Sequence, residues 1–78
     1  MSAGAYILVS VEAGHAKDAI ETIRALEGVK QAHTCWGQPD IFAYCEYPDD
    51  KRLAEVVLET IHNLPGVRST ETHLVVEM

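Results

Sequence analysis

The sequence has 78 residues, 47% apolar and 23% charged, which excludes a disordered or collagen-like chain and leaves room for a single domain over residues 1–78. Lys and Arg number 6 against 12 Asp and Glu, a formal charge of -6, and Phe, Trp and Tyr together make up 6%. Such a surface lacks both the basic face that neutralises phosphates and the aromatic platforms that stack bases, so nucleic acid and anionic membrane are excluded as direct partners. A domain of this size is marginal alone, and oligomerisation is a usual remedy.

The first element is a run of β-branched and apolar residues from Ala5 to Glu12, a strand that ends in the turn Ala13-Gly14. It is far shorter than the roughly 20 residues of a bilayer span and has no cationic leader, so the expected location is cytoplasmic. From His15 the period changes. Ala16, Ala19, Ile20, Ile23 and Leu26 fall three and four apart on one helical face, and Gly28 supplies the stop. Val29 to Trp36 reads as a second strand, broken at Gly37-Gln38-Pro39 because Pro39 has no N–H to donate. Trp36 is expected to anchor a core or an interface. Asp40 to Tyr47 returns as a third strand, forming a hairpin with the second. Asp49 is placed to cap a second helix whose apolar face is Leu53, Ala54, Val57, Leu58, Ile61 and Leu64, stopped by Pro65-Gly66. Val67 to Glu77 closes the chain as a strand. Cys35 and Cys45, outside any Cys-x-x-Cys spacing, read as free buried thiols.

The order βαββαβ is supported by an internal repeat. Sliding Glu21-Thr22-Ile23 onto Glu59-Thr60-Ile61 also lays Leu26 on Leu64, Gly28-Val29 on Gly66-Val67, Lys30 on Arg68 and Thr34 on Thr72. Two βαβ halves in tandem give an α+β, ferredoxin-like sandwich, an antiparallel four-stranded sheet with both helices on one face. Both sheet faces are partly apolar, with Ile7, Val9, Val11, Ile41, Ala43, Cys45 and Tyr47 on one and Tyr6, Leu8, Phe42 and Tyr44 on the other, whereas a sheet with a solvated side would alternate apolar with polar. The expectation is a dimer with sheet packed on sheet.

Function has to be argued from sites. His33 and Cys35 share a strand face, but a strand cysteine is usually an apolar filler and an edge histidine a solvated one, so no metal or cofactor is assigned. The four histidines are scattered and neither a nucleophile turn nor a Gly-rich phosphate loop is present, so no catalytic residue is assigned. A small dimeric α/β-barrel enzyme of the cofactor-free oxygenase or isomerase type stands as the alternative, and an ACT-like module as a third reading. The leading candidate is a polar ligand site at the turns. Gly37 exposes amides beside Gln38, Asp40 places a carboxylate at the mouth of the third strand, and Thr70, Thr72 and Thr34 offer hydroxyls. Amides and hydroxyls suit a carboxylate and a carboxylate suits an ammonium, the two groups of an α-amino acid.

These residues resemble a known family. The Gly-x-x-Asp loop and apolar strand from Gly37 to Tyr44, the stop Leu64-Pro65-Gly66-Val67, and Ser69-Thr70-Glu71-Thr72 leading into Leu74-Val75-Val76 are similar to the effector-binding (RAM) domain of Lrp/AsnC transcriptional regulators. The resemblance implies sheet-paired dimers that assemble into tetramers, octamers or rings, with an amino-acid effector between dimers near Gly37, Asp40, Thr70 and Thr72, and Thr34 and Gln38 as neighbours. Pro39 stands where the family commonly carries an aromatic residue, which implies a stiffer loop with one amide fewer. The first strand begins close to Met1, so the chain reads as a stand-alone RAM protein, with full-length Lrp/AsnC regulators as implied partners.

Overall fold

The computed structural model describes residues 3–78. Over them the chain runs β1 (Ala3–Val11), α1 (Ala16–Ala25), β2 (Val29–Thr34), β3 (Ile41–Tyr47), α2 (Asp50–Glu55) with a π-helical continuation (Val56–Ile61), and β4 (Val67–Leu74). The four strands form one antiparallel sheet in the order β2-β3-β1-β4. This is the ferredoxin-like sandwich expected from the repeat.

Period-two alternation decides which face is covered. Ala5, Ile7, Val9 and Val11 of β1 are buried, as are Ile41, Ala43, Cys45 and Tyr47 of β3. The pairing of Ile7 with Ala43 and of Val9 with Ile41 sets the two rows side by side. Ala19, Ile20 and Ile23 from α1 and Leu53, Val56, Val57 and Ile61 from the second helix close over them. Each fully buried Ile or Val contributes about 1.5–3 kcal/mol, so this layer dominates stability.

Five sequence expectations are corrected. β2 stops at Thr34 because the next rung is only half made: the Cys35 N–H donates to the Asp40 carbonyl at 2.6 Å, but the Asp40 N–H turns to the Val9 carbonyl. Cys35 is therefore exposed, and Trp36 is fully exposed and anchors nothing within the chain. β4 ends at Leu74, although the Val75 N–H still donates to the Gly4 carbonyl at 2.9 Å. In the second helix the hydrogen bonds lengthen to a π pattern, with His62 N–H donating to the Val57 carbonyl at 2.8 Å. Val56 faces inward, and Ala54 and Leu58 face outward. Asp49 is the expected cap, accepting from the Arg52 N–H at 2.8 Å, and the Asn63 side chain satisfies the Leu58 and Glu59 carbonyls at the other end.

Tyr47 packs its ring beneath Gly28, and its buried hydroxyl has no partner among the described residues. Burial, then the neighbouring Cys45, raises its pKa, while Arg52 partly offsets this. A buried hydroxyl without a partner costs about 1–3 kcal/mol. Tyr47→Phe is therefore expected to leave the urea midpoint unchanged or to raise stability by about 1 kcal/mol. A loss of stability would reveal a hydrogen-bonded hydroxyl.

The uncovered face is apolar at its centre. Tyr6 is 52% and Phe42 40% exposed, and Leu8 and Tyr44 are half-buried. Tyr6 and Tyr44 are direct cross-strand partners with ring centroids 4.9 Å apart. The Tyr44 hydroxyl donates to the Glu46 carboxylate at 3.0 Å, which raises the Tyr44 pKa.

Candidate functional site

The loop between β2 and β3 is built around Asp40. Its N–H donates to the Val9 carbonyl at 3.0 Å, and its Oδ2 accepts from the Val11 N–H at 2.8 Å, where the β1–β4 register shifts. Asp40 Oδ1 accepts from Gln38 Nε2 at 3.0 Å. The carboxylate thus replaces ladder bonds at the end of β1, and two of its roughly four lone-pair positions stay open to a ligand. Gly37 has φ +114 with no atom near its side-chain position, and the Gln38–Pro39 peptide is cis.

The threonines lie on the two edge strands. Pairing places Thr34, Ile41, Val9 and Thr70 in one row across the sheet, all on the helix side, with the two threonines at opposite edges. Three strand spacings separate them by about 14 Å. Thr72, one row further along β4 and opposite Ile7, is exposed. It lines an apolar groove with Leu53, Val57, Leu58 and Leu74. The Thr70 hydroxyl is 3.4 Å from His62 Nδ1. Gly37, Gln38 and Asp40 are therefore brought together, with Thr34 at the base of the same loop opposite Ile41, while Thr70 and Thr72 lie together on the far edge.

Sequence reasoning missed the surroundings of Gln38. This side chain shares a depression with Ser10, Arg68 and Ser69, at the end of the sheet beside the loop. The repeat, which aligns Arg68 with Lys30, was the signal that could have drawn attention to it.

The remaining reactive groups are dispersed. Burial, then Glu46, pushes the Cys45 thiol up to about 11, so it is protonated, and it lies 3.6 Å from the Ala5 carbonyl. His73 approaches Glu71 at 3.4 Å on the uncovered face, where His33 lies at the opposite edge. Among the described residues no group of three or more His, Cys, Asp or Glu side chains is arranged to hold a metal, and no helix is long and apolar enough to cross a membrane.

No curated protein matches the sequence. Solved structures do. A Thermus thermophilus protein, TTHA0845, is 28% identical with a TM-score of 0.91, the match covering 97% of this chain and 95% of that one. The hypothetical protein PHS023 from Pyrococcus horikoshii is 27% identical with a TM-score of 0.87, over 100% and 93% of the two chains. The transcriptional regulator NMB0573 of Neisseria meningitidis, solved as a complex with L-Met, is 25% identical with a TM-score of 0.80; the match covers 96% of this chain and 50% of the regulator. The family model for the Lrp/AsnC ligand binding domain matches residues 4–78. With that model spanning nearly every residue and the same fold in its relatives, the chain belongs to the Lrp/AsnC ligand binding domain family.

Proposed function

We propose that the chain is a non-enzymatic sensing module for an amino acid or a closely related small metabolite, and that it holds this ligand between dimers of an oligomer. The observation that carries the reading is the family match over residues 4–78, and the L-Met complex of the Neisseria regulator gives the ligand class. Two unpartnered apolar surfaces support the assembly. Tyr6, Leu8, Phe42 and Tyr44 would pack sheet on sheet, and the groove at Leu58, Leu74 and Thr72 would meet a second dimer. The split between the loop and the β4 edge fits this arrangement, with Asp40 of one chain holding the ammonium. The Gly37 amide and the Thr70 and Thr72 hydroxyls, the latter from a neighbouring subunit, would take the carboxylate. Gln38 and Thr34 are flanking contacts. The same surfaces would admit full-length Lrp/AsnC regulators in mixed assemblies, in the cytoplasm. Ligand would shift assembly states only by contacting one of them better than the other.

Calorimetric titration with each of the twenty amino acids tests the proposal. Binding by one or a few is expected, weakened about tenfold by Thr72→Val through loss of a hydroxyl donor to a charged group. Light scattering is expected to give a dimer or larger particle. Absence of heat with every amino acid, or a monomer throughout, overturns the reading.

A further inference from the structure

Both halves of the internal repeat enter their second strand through a β-bulge, and both bulges hold a cation. Val29 lies opposite Cys45 and Gln31 opposite Tyr44, leaving Lys30 as the extra residue of β2. Val67 lies opposite Val11 and Ser69 opposite Ser10, leaving Arg68 as the extra residue of β4. A bulge bends its strand and re-aims the side chain it frees, and bulges are over-represented beside functional sites.

At β4 the freed side chain meets a distinctive environment. Arg68 lines a depression of about 360 Å³ with Ser10, Ser69 and Gln38. All four side chains carry hydrogen-bond donors, and none carries negative charge. Among the described residues the one side-chain ion contact is that of His73 with Glu71, so the Arg68 guanidinium has no acid partner in a chain of net charge -6. Gln38 joins this corner to Asp40. One of its amide hydrogens goes to Asp40 Oδ1 at 3.0 Å, and the second is free. The Gln38 amide therefore links an acceptor, the Asp40 carboxylate, to a group of side chains that carry donors, and a zwitterionic α-amino acid requires both.

We propose that Arg68, with Ser10, Ser69 and Gln38, holds the carboxylate of the effector while Asp40 takes its ammonium. This deepens and rests on the amino-acid reading above. The Gly37 amide and the threonine hydroxyls are neutral donors; the guanidinium adds the charge that makes a two-pronged bond to a carboxylate roughly twice as strong as a neutral one. A ligand that keeps its side chain and ammonium but lacks the carboxylate gains nothing from Arg68.

The test is calorimetry on the intact protein with the best-binding amino acid and with its decarboxylated amine, comparing wild type, Arg68→Met and Arg68→Lys. The expected result is an affinity for the amino acid lower by about 10- to 100-fold in Arg68→Met, a smaller loss in Arg68→Lys, and no change for the amine. Equal affinities of wild type and Arg68→Met for the amino acid overturn the Arg68 assignment and leave the sensing reading standing. If no amino acid binds wild type, the sensing reading fails, and acetate titration followed at the Ser10, Gln38 and Ser69 amide resonances decides the site by itself. Saturable shifts that vanish in Arg68→Met support it, and their absence in wild type overturns it.

Discussion

Gly28→Ala is expected to lower stability by about 2–5 kcal/mol, a large share of what the domain has. Gly28 has φ +96, and a Cβ there would stand 2.7 Å from Cζ of the Tyr47 ring and 2.9 Å from the Glu46 carbonyl oxygen. Neither neighbour can move away. The Tyr47 ring is buried, and the Glu46 N–H donates to the Gly28 carbonyl at 2.8 Å, which locks the two backbones together. The left-handed conformation costs a side chain about 1–2 kcal/mol and the forced overpacking about 1–3 kcal/mol more. A chain of this length has roughly 4–12 kcal/mol of total stability. Gly14 is the control: its φ is +87, but nothing lies within 4 Å of its side-chain position. Gly14→Ala should lose about 1 kcal/mol in urea denaturation. Equal midpoints for the two variants would show that the packing of Tyr47 on Gly28 does not limit stability.

The second large effect separates two duties of Asp40. Asp40→Ala removes the acceptor of the Val11 N–H and is expected to cost about 1–3 kcal/mol of stability as well as ligand affinity. Asp40→Asn keeps a carbonyl oxygen that can accept that bond, so its urea midpoint should stay close to wild type. It discards the negative charge, however, and the proposed ammonium contact with it. Affinity for the amino acid should then fall about 100-fold in calorimetry while the fold persists. Unchanged affinity in Asp40→Asn would confine this residue to holding β1.

The contrast between these residues explains what could be read from the sequence. Alternation in β1 and β3 sorted the residues into two faces, but Tyr6, Leu8, Phe42 and Tyr44 rival Ile7, Val9, Ile41 and Ala43, so which face the helices cover was not legible. The repeat then ordered the elements. Strand ends were less legible, since Cys35 and Trp36 are acceptable strand residues and β2 stops because the Asp40 N–H bonds Val9 of β1 and leaves the Cys35 rung half made. The π-helical stretch was hidden because no residue type marks it, and the stripe expected through Ala54 and Leu58 gives way to Leu53, Val56, Val57 and Ile61. Composition and motif spacing could nominate Gly37, Gln38, Asp40 and the threonines, but not their distribution between the loop and two sheet edges, which follows from strand order. Arg68 escaped notice because its position depends on a one-residue slip in register.

The bond from Val75 to the Gly4 carbonyl has a practical consequence. It brings the beginning and end of the described chain side by side, whereas the Asp40 loop meets β1 at Val9 and Val11, about 20 Å away along the strand. A fluorescent protein or affinity handle attached to either end would emerge far from the Asp40 loop and close to the groove lined by Thr72 and Leu74. A circular permutant, closed by a short linker there and reopened at the Ala13–Gly14 turn, would keep every sheet pairing and place its new ends beside the Asp40 corner.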